Sequence, residues 1–277
     1  MLGLLLLQVL ASCLWLGHSE VVDDFFKNCP QFFFDGIPPN DVLRPSNSAL
    51  ICQVYNNSYH FATLYNKGKR IPVYSAYIYQ RGKCNRSSSW FVEPQLISSS
   101  FSKNMDTQVC VRCQNNISLD QIRENQAVTK DYDADKNYHR GHLNPCSHHN
   151  NTIDKTATNT LTNIVPQNKK LNQGAWKSYE ITTMAQNAQN CKTTYVITGA
   201  VPGNNAISKD RVNIPSHIWS AACCLVGKKP KKAWGAIAEN NDSNKVDVLT
   251  LGDLETRLSG HYGGRAVTLF HKACPRR

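Results

Sequence analysis

The chain has 277 residues, of which 41% are apolar and 18% are charged, so it carries enough apolar material for a buried core. This composition excludes a disordered or collagen-like chain, while the length fits one large domain or two small ones. The 31 Lys and Arg residues outnumber the 20 Asp and Glu residues, and the net charge of +11 favours an acidic partner such as nucleic acid, a heparin-like polymer or an anionic membrane.

Residues 1–19 form an apolar leader that contains no Lys, Arg, Asp or Glu and ends in Gly17-His18-Ser19. The run is short for a membrane span and has small residues at its end, which is typical of a secretory signal peptide. We therefore expect cleavage before Glu20 and a secreted, extracellular protein, with an uncleaved signal anchor as the alternative. No later stretch is apolar enough to span a bilayer.

The chain has eleven cysteines, of which one lies in the leader. The mature chain keeps Cys29, Cys52, Cys84, Cys110, Cys113, Cys146, Cys191, Cys223, Cys224 and Cys274. An even number in an exported chain predicts up to five disulfides. Cys223 and Cys224 should have different partners, because a bridge between neighbours is strained. The motif from Cys110 to Cys113 favours a disulfide, although half of a zinc site or a redox pair are alternatives.

Five N-x-Ser/Thr sequons agree with export and predict a glycoprotein. Their asparagines are Asn56, Asn85, Asn116, Asn150 and Asn241. The sequence shows no internal repeat, low-complexity run or Pro/Gly/Ser-rich linker, and the mature cysteines extend from Cys29 to Cys274. We therefore expect one disulfide-stapled domain over residues 20–277.

Apolar and aromatic patterning predicts the main elements. Residues 60–80 read as two strands around a turn at Asn66-Lys67-Gly68, and residues 193–201 and 216–226 are further strand candidates. Residues 171–189 have helical spacing, which Gly174 weakens in the first turn. Together these elements indicate an α+β domain. The basic segment 227–234 is interpreted as a surface loop, with a phosphate-contacting patch as the alternative.

The densest polar cluster contains three stretches, YHRGHLNP (138–145), TNIVPQ (162–167) and LNQGAW (171–176), followed by Glu180. Phosphodiester hydrolysis needs a base, a cation at the phosphate and an electrophile, for which His142, Arg140 and a divalent metal are candidates. Asn172 and Glu180 are eight residues apart, about two helical turns, and their oxygens suit Mg²⁺. Taken singly, each residue also has a structural explanation, such as Asn172 capping a helix.

In this order and spacing, the three stretches resemble the DNA/RNA nonspecific endonucleases with a ββα-metal site, a family that includes endonuclease G. The leader and the segments KNCPQFFFDGIPP, RIPVYSAY and IPSHIWSAACC are more similar still to the secreted animal endonuclease-domain-containing proteins. The resemblance covers nearly the whole mature chain. It implies a mixed sheet with flanking helices, in which two strands and a helix hold one Mg²⁺.

The resemblance also implies roles for individual residues. His142 matches the general base, Asn172 the direct metal ligand, and Glu180 the residue that hydrogen-bonds the metal-bound waters. Polar residues that match the phosphate and metal site are Arg140, Asn159 and Asn163. Among them, Asn163 is a candidate catalytic residue, and Arg140 and Asn159 are candidate substrate contacts. Lys169, Lys170 and Lys177 flank the metal helix, where Lys169 and Lys177 are candidate substrate contacts. Leu171 and Trp176 match packing residues.

One position departs from the family pattern, because His139 stands where the family motif begins with an aspartate. Imidazole adds no negative field near the metal, which puts catalytic efficiency and metal preference in question. The main hypothesis is a Mg²⁺-dependent endonuclease, with Mn²⁺ as an alternative ion, that cuts DNA and RNA to 5′-phosphate ends. Related nucleases dimerise, but the sequence shows no signal for a homodimer interface.

Two other function classes stay open from the sequence. The first is a catalytically weak or inactive protein with the nuclease fold that binds extracellular nucleic acid, a glycan or another polyanion or protein. The second is a structural zinc protein built on the cysteines and on His148-His149.

Overall fold

The computed structural model describes residues 21–84, 89–133 and 135–277. The predicted signal peptide, its cleavage site before Glu20 and the Asn85 sequon lie outside the described residues. The asparagines of the other four sequons are all exposed. No helix of the described part is long and apolar enough to cross a membrane.

The described chain contains fourteen strands and eight α-helices in mixed order. The strands are β1 (Val21–Val22), β2 (Ser48–Tyr55), β3 (Ser58–Asn66), β4 (Ile71–Ile78), β5 (Phe91–Val92), β6 (Asp106–Thr107), β7 (Tyr138–His142), β8 (Ile164–Asn168), β9 (Thr193–Val201), β10 (Ala206–Ile207), β11 (Val212–Asn213), β12 (His217–Val226), β13 (Lys229–Glu239) and β14 (Asp247–Leu249). The α-helices are α1 (Phe25–Asn28), α2 (Gln108–Asn115), α3 (Leu119–Asn125), α4 (Thr152–Ala157), α5 (Lys169–Gln173), α6 (Ala175–Ser178), α7 (Met184–Asn187) and α8 (Leu251–His261). These elements confirm the α+β class, the predicted hairpin in residues 60–80 and both further strand candidates.

Eight strands form the main sheet in the order β1-β2-β3-β4-β9-β12-β13-β14. Every pairing in this sheet is antiparallel, so the sheet is not mixed as the resemblance had implied. Hairpins account for much of the antiparallel pairing, since short turns join β2 to β3, β3 to β4 and β12 to β13. Asn56 and Asn57 make the first turn with φ of 51° and 58°, a left-handed conformation that asparagine tolerates well.

The main sheet has an apolar core on each face. Successive side chains of a strand point to opposite faces, and along β12 the side chains of Ile218 and Ala222 enter one core while Trp219 and Ala221 enter the other. The first core also contains Ile164 and Val165 of β8 and the buried apolar residues of the helices that follow. The second core packs the N-terminal segment and α8 against the sheet.

Four disulfides link the described cysteines: Cys29–Cys52, Cys84–Cys146, Cys191–Cys224 and Cys223–Cys274. The alternation along β12 explains why the neighbours Cys223 and Cys224 pair with different partners, as predicted. The expected disulfide between Cys110 and Cys113 is wrong for this structure, in which both thiols are free and exposed. They lie in α2, where the regular helix holds the two side chains too far apart for a bond.

The helix predicted over residues 171–189 is interrupted. Helix α5 ends at Gln173, α6 begins at Ala175, and a π-helical turn over Tyr179–Thr183 precedes α7. Asn244 causes the first interruption, because its Oδ1 accepts a hydrogen bond from Ala175 N at 2.7 Å. A Cβ on Gly174 would lie 2.4 Å from that oxygen, so the approach requires glycine.

The basic segment 227–234 is not a loop over most of its length. Gly227, with φ of 65°, allows a tight turn, and β13 begins at Lys229. Lys229 and Lys231 are exposed on this strand, while Lys232 is half-buried with its Nζ 5.8 Å from the ring centroid of Trp234.

Candidate active site

Two strands and a helix carry half of the predicted site residues, namely Arg140, His142, Lys169 and Asn172. Strand β7 pairs antiparallel with β8, with Tyr138 opposite Asn168 and His142 opposite Ile164. Helix α5 begins directly after β8, and Asn168 Oδ1 caps it by accepting hydrogen bonds from Lys170 N (2.9 Å) and Leu171 N (3.3 Å). This local arrangement places the YHRGH strand beside the helix that bears Asn172.

Gly141 lets the two strands pack tightly. A Cβ at this position would lie 2.5 Å from Gln167 Cβ and 2.3 Å from Gln167 Oε1. Position 141 therefore requires glycine, because the Gln167 side chain occupies the space that a Cβ would fill.

His142 is half-buried and oriented by Asn159. Its Nε2 lies 3.0 Å from Asn159 Oδ1, so the Nε2–H donates to that oxygen and Nδ1 keeps a free lone pair. Burial lowers the pKa of His142, and the hydrogen bond to Asn159 opposes this effect. The imidazole is therefore neutral at physiological pH and able to accept a proton. The ring centroid of Trp90 lies 5.6 Å from that of His142.

Arg140 is held in a fixed position. Its Nη2 donates to Thr129 O at 3.0 Å and pairs with Asp133 Oδ1 at 2.6 Å. Its guanidinium carbon also lies 5.3 Å from the ring centroid of Trp90 and 5.6 Å from that of Tyr132. These contacts fix the orientation of the planar, permanently charged Arg140 guanidinium in the absence of a bound phosphate.

His139 and Asn172 contact each other across the site. The amide Nδ2 of Asn172 donates to His139 Nδ1 at 3.3 Å, which leaves Asn172 Oδ1 available as a ligand. Burial and the charge of Lys169 both lower the pKa of His139, in that order, which favours the neutral imidazole that can accept this bond. An imidazole thus accepts here the kind of hydrogen bond that a carboxylate could accept.

Glu180 lies in the π-helical turn and is half-buried. Its backbone oxygen accepts a hydrogen bond from His148 Nε2 at 2.9 Å. Burial raises the pKa of the Glu180 carboxyl to about 8, and a hydrogen bond from Trp176 opposes the rise. No ion pair within the described part of the chain involves this carboxylate. A cation bound nearby would stabilise its charged form.

A cleft of about 710 Å³ opens over this region. Its lining residues are Trp90, Tyr132, Asp135, Lys136, Tyr138, His139, Arg140, Lys169, Asn172, Gln173 and Lys177. The lining contains four Lys or Arg side chains and one carboxylate, so its charge favours an anion. The predicted substrate contacts Lys169 and Lys177 are exposed there. His142 and Glu180 do not line this cleft, although Trp90 connects its wall to His142.

Asn159 and Asn163 lie behind the cleft. Asn159 is 8% exposed and contacts His142, and Asn163 is fully buried. Asn163 Oδ1 accepts from Ser75 Oγ at 2.8 Å and from Asn144 N at 2.9 Å, while its Nδ2 donates to two backbone carbonyls. These bonds leave Asn163 no free polar group for substrate, so its contribution is to hold the chain in place.

Sequence reasoning missed the residues that surround Arg140. Trp90, Tyr132 and Asp133 contact its guanidinium, but Trp90 lies far away in sequence and belongs to none of the three polar stretches. No local pattern marks Trp90, because its position depends on long-range contacts such as the bridge between its neighbour Phe91 and Thr160.

The oxygen atoms of Asn172 and Glu180 suit a cation that has few protein ligands. The described residues contain no group of three or more His, Cys, Asp or Glu side chains that could hold a metal. This finding argues against the structural zinc alternative, since His148 instead bonds Tyr77 and Glu180, and His149 bonds Asn144. The Asn172 amide oxygen and the isolated Glu180 carboxylate are hard oxygen donors, which suit Mg²⁺ or Mn²⁺ with several waters.

Comparison with known proteins identifies the family. The sequence profile of "DNA/RNA non-specific endonuclease" matches residues 38–261. The chain belongs to this family. The family consists of nucleases that generally depend on a divalent metal and act on nucleic acid.

Two curated relatives carry the name "Endonuclease domain-containing 1 protein". The protein from Homo sapiens is 31% identical over 240 residues, and the one from Mus musculus is 33% identical over 241 residues. Each alignment covers 84% of this chain and 46% of the relative, so the chain spans about half the length of the curated relatives it matches.

A solved structure supports the fold of this family member. A chain of the crystal structure of the EndoG/EndoGI complex matches with a TM-score of 0.51 and 17% identity, covering 73% of this chain and 82% of that chain. At this identity the likeness concerns the fold alone.

Proposed function

We propose that this chain is a secreted, divalent-metal-dependent endonuclease that hydrolyses phosphodiester bonds of DNA and RNA without sequence preference. The observation that carries the proposal is the neutral His142 imidazole, held by Asn159 within the β7–β8–α5 arrangement of a nonspecific endonuclease. The four disulfides and the leader support export into an oxidising compartment.

His142 acts as the general base in this proposal. Asn159 fixes the Nε2–H tautomer, so Nδ1 faces the water that attacks phosphorus and receives its proton. Asn159 is therefore a positioning residue for the base, rather than the substrate contact first predicted. Asn163 positions the same segment through its bonds to the backbone.

Asn172 and Glu180 hold the metal side of the site. His139 orients the Asn172 amide so that Oδ1 is free to act as the direct ligand. Glu180 would accept hydrogen bonds from waters on a bound ion, in keeping with a carboxylate that has no ion pair within the described part of the chain. A bound Mg²⁺ or Mn²⁺ would neutralise charge on the phosphate and on the departing oxygen.

Arg140 binds the phosphate of the scissile bond, while Lys169 and Lys177 contact phosphates along the cleft. Because these contacts are to the backbone of the nucleic acid, binding does not depend on base sequence. Departure of the 3′ oxygen leaves 5′-phosphate ends.

Plasmid nicking by the purified protein tests the proposal. We expect cleavage that EDTA abolishes, 5′-phosphate ends, and a loss of about 10²–10⁴-fold in rate for His142→Ala. His261→Ala, which removes an exposed histidine outside the site, serves as the matched control and should cleave normally. Full activity of His142→Ala would refute the assigned base, and salt-sensitive DNA binding without cleavage by the wild type would favour the polyanion-binding alternative.

A further inference from the structure

The two cysteines of α2 differ from the other described cysteines, because their thiols are free and exposed. Eight of the ten described cysteines form disulfides, whereas Cys110 and Cys113 remain free. The two residues are three positions apart, so their side chains lie on the same face of the helix. Two nucleophilic groups are thus neighbours on the surface of a protein in which other cysteines pair.

The helix explains why the thiols stay reduced beside four formed disulfides. Side chains at positions i and i+3 of an α-helix have Cβ atoms about 5–6 Å apart, whereas a disulfide needs about 3.5–4.5 Å. Closing the bond therefore requires the first turn of α2 to loosen. That turn begins at the N-cap Thr107, whose Oγ1 accepts from Cys110 N at 3.2 Å, so loosening the turn breaks this capping bond.

The middle of α2 is anchored in the core. Val111, between the two cysteines, is fully buried in the core, and Asn115 and Asn116 end the helix beyond Cys113. A strained and exposed disulfide is more readily reduced than a relaxed one, which makes such a bond reversible.

We propose that Cys110 and Cys113 form a reversible dithiol–disulfide pair that exchanges with low-molecular-weight disulfides such as glutathione disulfide. The Cys110 thiolate attacks one sulfur of the small disulfide, which forms a mixed disulfide and releases one thiolate. The Cys113 thiolate then attacks Cys110 Sγ, closing the protein disulfide and releasing the second thiolate. The pair loses two electrons and two protons, and one small disulfide becomes two thiols.

The position of Arg112 between the cysteines gives a direct assay. Trypsin cleaves after Lys103, Arg112 and Arg123, so Cys110 and Cys113 fall in separate peptides that stay linked only when the disulfide has formed. The full-length protein is equilibrated in glutathione buffers of increasing oxidised fraction, quenched with acid, alkylated and digested without reduction. Mass spectrometry then measures the linked fraction.

We expect the linked fraction to rise by roughly tenfold or more across the series, in monomeric protein, while the four structural disulfides stay intact throughout. Cys113→Ser should give no linked peptide and should carry glutathione on Cys110 in oxidised buffer. Alkylation of both thiols in every buffer would overturn the proposal. So would a linked peptide that persists at the reducing end, or one found only in covalent dimers. The readout is thiol chemistry, so it is independent of nuclease activity.

Discussion

His139 and Asn172 show how one side chain can replace another in the metal site that we propose. The resemblance places an aspartate at position 139, yet the Nδ1 of His139 accepts the hydrogen bond from the Asn172 amide at 3.3 Å. The orienting role is therefore kept, but the negative charge that a carboxylate would add is absent. These two contributions can be separated experimentally.

Replacing His139 with aspartate should strengthen Mg²⁺ binding. The carboxylate can accept the same hydrogen bond and also adds a charge near the cation, which we estimate at about 1–2 kcal/mol, or roughly fivefold to thirtyfold in affinity. Titration calorimetry of the full-length protein with MgCl₂ measures this directly. His139→Ala removes the acceptor without adding charge and should bind more weakly than the wild type. Equal affinities for all three proteins would show that position 139 does not act on the metal site.

At the scale of elements, Glu93 joins the end of β5 to the turn that precedes β8. Its Oε1 accepts from Thr160 Oγ1 at 2.7 Å and from Thr162 Oγ1 at 3.1 Å. Gln126 bonds both its backbone N and its backbone O at 2.8 Å. The carboxyl is buried without a cation, and burial raises the pKa of Glu93 to about 7 against the opposing effect of the two threonines.

This carboxyl should make stability depend on pH. Its pKa is higher in the folded state than in the unfolded state, so the folded protein is most favoured below the unfolded pKa and loses stability as pH rises to about 7. Glu93→Gln should remove this loss, and its stability relative to the wild type should grow by up to about 3 kcal/mol between roughly pH 4.5 and 7. Urea unfolding at several pH values measures the difference. Glu124→Gln, at an exposed glutamate, should show no such trend, and a constant offset for Glu93→Gln would contradict the prediction.

The sequence predicted the strands and turns that depend on residues close together in the chain. The hairpin in residues 60–80 and the strand at β12 have runs of apolar side chains, which in the hairpin flank turn residues, and both were confirmed. The break at Gly174 was not predicted, because it depends on Asn244, which approaches from a distant part of the chain. Trp90 beside Arg140 and Glu93 beneath the Thr160 turn were missed for the same reason, since each contact joins residues far apart in sequence.

The excess positive charge of the whole molecule is distributed over more than one surface. The cleft has exposed Lys169 and Lys177 in its wall, and the β12–β13 hairpin presents exposed Lys229 and Lys231. The net charge of +11 attracts a polyanion to either surface and does not by itself say which one binds it. The salt dependence of DNA binding distinguishes the two surfaces, because only lysines that neutralise phosphates release counterions and contribute to it.

Two double variants with the same change in charge should therefore behave differently. Binding to duplex DNA is measured in EDTA, which prevents cleavage, over a series of NaCl concentrations. Replacing Lys169 and Lys177 with alanine should flatten the plot of log affinity against log salt by about 2, because each phosphate contact contributes about 0.9 to the slope.

Replacing Lys229 and Lys231 with alanine should leave that slope unchanged, although the net charge falls by the same amount. If both pairs flatten the slope equally, the cleft is not the preferred path of the nucleic acid, and the hairpin shares its binding. If only the hairpin pair changes it, the DNA binds outside the cleft, and the assignment of Lys169 and Lys177 as substrate contacts fails. A change confined to the cleft pair would place the phosphates along the wall that contains Arg140 and Asn172.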